Sequence, residues 1–416
     1  MTAAAEERFP ELPVLGFISS ITWAVGTNWL GEWYYPLRGI GWLDIVFFIW
    51  FIFALVDPRR RLALSTALWA VRKFVLLILV FMTWLLLSTV VNSYTWGAGP
   101  TDLFAIGRLV YYCAILLFAY ITVRQYGYGA LVAGFITGVG VLTLGRFYDA
   151  YTEGASAVIL QDLIILKDPN VIGNMMGIGV LFCILGVLEG YVKLSFLAAL
   201  ALAIASVTTF SKGTWLMILI ALIGCVVALL MTVRRSERSL MRYLPATIVL
   251  IGLAGVITFV YWDLLVDLVN LKLETTEENE TAAYRYQFGL AAIYAMADHP
   301  IFGLGFRNFP QVERLYPDVV PEPTENAHNA FLHFGAIGGI PALLILIWLV
   351  AYPIAPLWRA LAAEYPRTLA SILTALVVLI LGLSGSVQLQ LVAQPFFWLL
   401  AGIILSWRDR VVRHPT

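Results

Sequence analysis

Long apolar runs recur along nearly the whole chain. Because an α-helix rises 1.5 Å per residue, about 20 apolar residues cross the ~30 Å hydrocarbon core of a bilayer. Only 12% of the 416 residues are charged, whereas soluble domains carry roughly a quarter. The sequence therefore predicts an all-α polytopic membrane protein with about twelve transmembrane helices. The predicted spans are 14–31, 37–56, 74–92, 103–123, 126–145, 171–189, 192–209, 213–233, 243–262, 328–353, 368–384 and 393–407.

The distribution of basic residues predicts an orientation. Lys and Arg concentrate in the cytoplasmic loops of membrane proteins. With a cytoplasmic N-terminus, 17 of the 26 basic residues fall in cytoplasmic loops and tails and eight fall outside. The short outer loops 93–102 and 385–392 contain none. We therefore predict that both termini are cytoplasmic.

The connection between the ninth and tenth spans is much longer than the others. It divides the chain into 1–262 with helices 1–9, a periplasmic loop at 263–327, and 328–416 with helices 10–12. Within the loop, 281–298 reads as a helix, with Thr281 as its N-cap and His299-Pro300 at its end. Loops this long are usually functional. A solvated segment is predicted for the acids before this helix, Glu274, Glu277, Glu278 and Glu280.

Basic residues on the predicted outer side are candidates for binding an anion. Arg146 ends the fifth span, and Lys212 lies in a tight hairpin between the seventh and eighth. Arg285 lies on the loop helix, where Gly289 and Ala292 share its face. Small residues beside an arginine let another surface approach it closely.

A further arginine, Arg108, falls inside the fourth predicted span. A charge within a membrane is a functional candidate by default, although a long side chain can also snorkel to the interface. Snorkelling remains the alternative for Arg38, Arg307 and Arg314 as well.

Two of the four histidines lie close together at the start of the tenth span. His328 and His333 are five residues apart, so they point to different faces of a helix. They lack the spacing of a metal-binding pair, and we expect one of them to work alone. Imidazole can act as a general base near neutral pH. Spacing alone favours the alternative, a histidine bound to a lipid headgroup.

Four motifs in order give the chain a family resemblance. It resembles the O-antigen ligase and polymerase superfamily, which assembles bacterial surface polysaccharides, and the long loop between spans nine and ten is similar too. The motifs are Asp168-Pro169-Asn170, Ser211-Lys212-Gly213, Arg285 leading to His299-Pro300-Ile301-Phe302-Gly303-Leu304-Gly305, and His328-Asn329 followed by Gly335, Gly338 and Gly339. Two positions depart from the ligase pattern, Ala342 and Gly289, and both blur the choice between ligase and polymerase.

The resemblance implies transfer of a glycan from undecaprenyl diphosphate to a hydroxyl of an acceptor sugar. It places the protein in the bacterial inner (plasma) membrane, with the active site facing the periplasm. A ligase uses lipid A–core or another glycolipid as the acceptor, whereas a polymerase uses a second lipid-linked repeat unit. We favour the ligase, acting by direct displacement with inversion, and keep the polymerase as the alternative.

The resemblance also assigns roles to residues. His328 is the expected base, and Arg285 is expected to be catalytic. A departing diphosphate needs fixed positive charge. Arginine offers it with two parallel hydrogen-bond donors, and lysine offers it as a point charge. The expected diphosphate-binding residues are Arg146, Lys212, Arg285 and Arg108. The expected supporting residues are Asn329, Asn170 and Tyr284.

The composition and the motifs of the sequence also bear on other possible partners and functions. The sequence has no Asp-x-Asp pair and no metal-type Cys/His spacing, so we expect neither metal nor cofactor. The net charge of zero gives no reason to expect nucleic acid. The expected partners are the lipid-linked donor, the glycolipid acceptor and the lipid bilayer. A polysaccharide or lipid transporter remains a remote alternative, because it predicts repeat symmetry and several charges within the spans.

Overall fold

The part of the chain that the structure describes is helical. A computed structural model describes residues 8–26, 42–96, 100–153, 175–177, 179–180, 277–306, 308–320, 324, 327–354, 398–399 and 401–406. Across these ranges the ordered elements are helices, joined by turns, and there is no strand. The predicted all-α class is therefore supported wherever the chain is described.

Five helices cover most of the described N-terminal region. They are α1 (Glu11–Gly26), α2 (Trp42–Val56), α3 (Pro58–Trp96), α4 (Pro100–Tyr126) and α5 (Gly129–Glu153). The third predicted span is only part of α3, which begins 16 residues before position 74. Arg146 was predicted to end a span, but α5 continues past it to Glu153. The helix is therefore longer than its apolar run, and the end of the membrane span at Arg146 stays a prediction.

The second described region holds the predicted loop helix and the following span. It contains α6 (Glu277–Asp298), a 3₁₀ turn (Phe309–Gln311), α7 (Val312–Leu315) and α8 (Ala330–Ile354). The predicted helix end before His299 is correct. Its predicted start at Thr281 was wrong, since α6 begins four residues earlier. Glutamates at a helix N-terminus are stabilised by the helix dipole, so three of the four acids expected in the preceding segment belong to the helix.

Two described helices are long and apolar enough to cross a membrane, Pro58–Thr95 and Ala330–Pro353. A third candidate is the bent pair Val110–Tyr126 and Gly129–Gly145, which meets at an angle of 120°. These helices support a membrane protein. The predicted number of twelve spans, the domain boundaries and the orientation remain predictions, because much of the chain lies outside the described residues.

Glycines let α1 and α5 approach each other closely. A Cβ atom at Gly134 would overlap the backbone of Phe17, and one at Gly16 would lie 2.9 Å from Leu131 Cδ2. Small residues at crossing points are the usual way for membrane helices to pack. Near the same end, Arg60 of α3 binds Glu11 at 2.8 Å, so α1 is joined to both α5 and α3.

The helix α8 is broken at Gly339. This glycine has φ 73° and ψ −177°, so α8 consists of two helical segments joined at that point. Two residues on, Pro341 has no N–H to offer the carbonyl of Ile337. A broken helix leaves backbone groups without their usual partners, and these must be bonded by other parts of the chain.

The turn-rich segment after α6, residues 299–306 (the strip), supplies several of those partners. The Leu304 and Gly305 amides donate to the carbonyls of Ala336 and Ile337 at 2.8 and 2.9 Å, and the Ile340 amide donates to Pro300 at 2.8 Å. The strip thus lies against α8 and replaces the hydrogen bonds lost at the break.

We predict that Gly339→Ala destabilises the protein by on the order of 2 kcal/mol or more. A left-handed backbone costs 1–3 kcal/mol in most residues, and the new methyl group would overlap the Ile301 carbonyl. Thermal unfolding in detergent would report the change as a lower Tm.

The matched control is Gly140→Ala in the interior of α5, where nothing lies within 4 Å of an added Cβ atom. Alanine is the better helix former there by roughly 0.5–1 kcal/mol, so the Tm should hold or rise. Equal Tm values for the two variants would contradict the strained break.

Candidate functional site

The candidate base, His328, directly precedes α8 in an uncommon backbone conformation. Its φ of 50° makes it the one non-glycine residue with positive φ among those described. Histidine tolerates this region better than most residues, and such strain is often found at functional sites. The residue is partly exposed, while its Nδ1 atom is buried.

The neighbouring Asn329 is the N-cap of α8. Its Oδ1 accepts hydrogen bonds from the amides of Phe331 at 3.0 Å and Leu332 at 3.2 Å. These bonds satisfy two amides that have no partner within the helix. The His-Asn motif thus combines a turn residue with a helix cap, and Asn329 fixes where α8 begins.

Aromatic stacking joins His328 to α6. The imidazole stacks on Phe288 with ring centroids 5.8 Å apart and an interplanar angle of 23°. Tyr284 also stacks on Phe288, with ring centroids 6.1 Å apart and an interplanar angle of 13°. The predicted supporting residue Tyr284 therefore belongs to the same group of rings as the candidate base.

A face of small residues lets α6 lie directly beside α8. Ala291, Ala292 and Ala295 are fully buried, and a Cβ atom at Gly289 would be 3.5 Å from Leu332. The surface expected to approach beside Arg285 is therefore the first turns of α8. Arg285 itself is exposed. It lies one helical turn before Phe288, whose ring stacks on His328.

The second histidine is enclosed by aromatic rings. His333 is 4% exposed, with its ring 5.1 Å from Phe309 and 5.7 Å from Phe334. His333 lies within α8 and is buried in the core, whereas His328 precedes that helix and is partly exposed. That one of the two histidines works alone stays a prediction.

The segment after the strip closes against the end of α6. Tyr316 donates its hydroxyl hydrogen to Asp298 Oδ2 at 2.7 Å, and its ring lies 5.8 Å from that of Tyr294. Burial, followed by the hydrogen bond to Asp298, raises the pKa of the Tyr316 hydroxyl above its ordinary value. The hydroxyl therefore remains a donor at neutral pH and holds the segment in place.

The other expected site residues are not brought to His328 by the described structure. Lys212 and Asn170 lie outside the described residues. Arg108 lies within α4 and Arg146 within α5, but only their positions along the helices are known. The structure thus brings together His328, Asn329 and Tyr284, with Arg285 one turn away.

Sequence reasoning missed the apolar residues that organise the site. Phe288 was overlooked, although its position three residues after Arg285 and four after Tyr284 places it on their face of α6. Trp84 and Ser88 of α3 were also missed. Trp84 donates to the carbonyl of Gly338 at 2.7 Å, and Ser88 lies against the same break.

Residues 196–347 match the family model described as O-antigen ligase. These residues carry an O-antigen ligase domain. The match confirms the resemblance to the O-antigen ligase and polymerase superfamily, and it covers just over a third of the chain. No curated protein matches the chain significantly.

The O-antigen ligase domain contains the geometry described above. It includes α6, the strip, His328 and the break at Gly339, together with Lys212. Arg108, Arg146 and the whole of α3 lie outside it. The family supports a glycosyltransferase-like enzyme of O-antigen assembly, acting on lipid-linked polysaccharide in a membrane.

We predict that Asn329→Ala lowers the stability of the O-antigen ligase domain by about 1 kcal/mol, because α8 loses its cap. Asn329→Asp should keep the stability, since a carboxylate also caps a helix and suits the positive end of its dipole. Thermal unfolding in detergent compares the two. The cap assignment is wrong if both variants unfold at the same temperature.

Proposed function

We propose that the protein is a ligase-type glycosyltransferase of the periplasmic face of the inner membrane. It transfers a glycan from undecaprenyl diphosphate to a sugar hydroxyl of lipid A–core. The observation that supports this most directly is that His328, a partly exposed residue, stacks its imidazole on the Phe288 ring. One turn before that ring, α6 presents the exposed Arg285.

His328 acts as the general base in this mechanism. A sugar hydroxyl is a poor nucleophile until its proton is removed, and a positioned base contributes roughly 10²–10⁴-fold to the rate. The stacking on Phe288 restrains the imidazole, and the cap at Asn329 fixes the start of the helix that follows it. A restrained base meets the hydroxyl in a productive orientation more often.

Arg285 stabilises the departing diphosphate. The acceptor oxygen forms a bond to the anomeric carbon while the bond from that carbon to the diphosphate oxygen breaks. The hydroxyl proton passes to His328, and undecaprenyl diphosphate leaves as an anion. Attack from the face opposite the leaving group inverts the anomeric centre. Fixed positive charge at a developing anion is usually among the largest catalytic effects.

Further charges complete the diphosphate site in this proposal. Lys212 and Arg146 are assigned to it by their predicted position on the outer side, and Arg108 as a charge within the fourth predicted span. Asn170 is assigned a supporting role. The chain has no Asp-x-Asp pair that would hold a divalent ion on the diphosphate. The proposed reaction accordingly uses basic side chains in place of a metal.

The acceptor distinguishes the ligase from a polymerase. Purified protein is given an undecaprenyl-diphosphate glycan with either lipid A–core or a second lipid-linked repeat unit. Transfer to lipid A–core supports the proposal. Transfer only to the second lipid-linked unit would identify a polymerase that uses the same site, and transfer to neither would overturn the proposed chemistry.

We predict that His328→Asn reduces transfer by at least ~10²-fold, because the base is lost. Asparagine is a better replacement than alanine here, since it tolerates the left-handed backbone observed at this position. The Tm should therefore remain close to that of the wild type. Near-normal transfer by a folded variant would rule out His328 as the base.

We predict that Arg285→Lys loses most of the transfer activity, because a point charge replaces a bidentate grip. The control is Arg314→Lys, a change at an exposed arginine in the last turn of α7. That variant should keep its initial rate. If the two variants retain equal activity, Arg285 contributes only general positive charge.

A further inference from the structure

Two residues of α3, one helical turn apart, contact both the strip and α8. Trp84 Nε1 donates to the Gly338 carbonyl at 2.7 Å, and its ring stacks on Phe302 at 5.4 Å and 14°. Ser88 Oγ lies 2.5 Å from the Phe302 carbonyl oxygen and 2.9 Å from that of Ile337. Each residue therefore links the strip to the break in α8.

The Ser88 hydroxyl is the more critical of the two donors. Ile337 also accepts a hydrogen bond from the Gly305 amide at 2.9 Å. The Phe302 carbonyl has Ser88 as its donor within the described part of the chain. Ser88 is fully buried, so water cannot readily take over from the hydroxyl. The bond to Phe302 lies in a partly buried site. Loss of the donor there is destabilising, so the strip should loosen when the hydroxyl is removed.

Loosening the strip would move one half of the site relative to the other. The strip directly continues α6, which carries Arg285 and Phe288, while α8 begins just after His328. Glycines bring α6 and α8 close together, with Gly289 against Leu332 and Gly335 against Met296. In the described part of the chain, the hydrogen bonds at the strip and the break help to fix their relative position.

We propose that Ser88, assisted by Trp84, is a positioning residue for the transfer reaction. From outside the O-antigen ligase domain, it holds the strip on α8 and so fixes the Arg285 helix beside His328. The effect on the reaction rate rests on the proposed function, whereas the effect on the strip does not. The two effects are therefore measured separately.

The first measurement is the steady-state kinetics of Ser88→Ala in the purified full-length protein. Misplacement of reacting groups lowers kcat by about 10–100-fold, while KM should change by less than about threefold, because every proposed substrate-binding side chain is retained. The matched control is Thr89→Val. Thr89 is also buried, 1% exposed, but its hydroxyl bonds its own helix at Leu85, 2.7 Å away. Its kcat should stay within about twofold of the wild type.

The second measurement is amide hydrogen exchange in peptides covering 300–306 and 336–341. Loss of one buried hydrogen bond should speed exchange there by about fivefold in Ser88→Ala, and not in Thr89→Val. Trp84→Phe provides a second test, since it removes the donor to Gly338 while keeping a ring against Phe302. It should speed exchange in 336–341 even if Ser88→Ala cannot be purified.

The outcomes separate the two proposals. Faster exchange with a lower kcat and a steady KM supports positioning by Ser88. Unchanged exchange, or faster exchange with wild-type kcat, overturns it. If the wild type transfers no glycan, the proposed function fails, and exchange in the variants still decides whether Ser88 holds the strip.

Discussion

The break in α8 is the constraint on which the described site depends. A bilayer offers no water to backbone groups, so irregular backbone within a span persists only where protein supplies the partners. Gly339 turns the chain out of the helix, and Pro341 has no amide hydrogen to give. The strip and α3 satisfy the groups set free, with bonds at the carbonyls of residues 336, 337 and 338. Parts of the chain that are distant in sequence thereby become one unit.

The same break sets the position of the candidate base. Because the strip is bonded to α8 and continues α6, these two helices must lie side by side over the first turns of α8. The small residues of α6, among them Ala291 and Ala292, permit the close approach. Phe288 then reaches His328, whose backbone is bent just before the capped start of α8. The break in α8, the cap at Asn329 and the stacking on Phe288 thus contribute together to the position of the His328 imidazole.

Local patterns in the sequence predicted the local features of this site. Hydropathy identified α3 and α8, and His299-Pro300 marked the end of α6. The spacing of His328 and His333 did not predict which of them is buried. The start of α6 was missed, because a capping threonine at position 281 was weighed above the stabilisation of glutamates by the helix dipole. In α5, the apolar run stopped before the helix did.

Contacts between distant parts of the chain were not predictable in the same way. Ser88 and Ile337 are 249 residues apart, and Ser88 and Trp84 look like ordinary members of an apolar run. Only the glycines of the strip and the Gly339–Pro341 pair are typical of a broken helix. These residues do not indicate that α3 is the element that contacts the break. Lys212 and Asn170 stay predictions, since no contact of theirs is described.

The distance between α3 and α8 in the chain has a consequence for biosynthesis. Proteins fold from the N-terminus as they are made, so α3 is inserted long before the broken helix leaves the ribosome. When α8 arrives, Trp84 and Ser88 are already in the bilayer as donors for its free carbonyls. The N-terminal helices therefore act as an assembly template for the O-antigen ligase domain, and that domain made alone would enter the membrane without the partners its backbone requires.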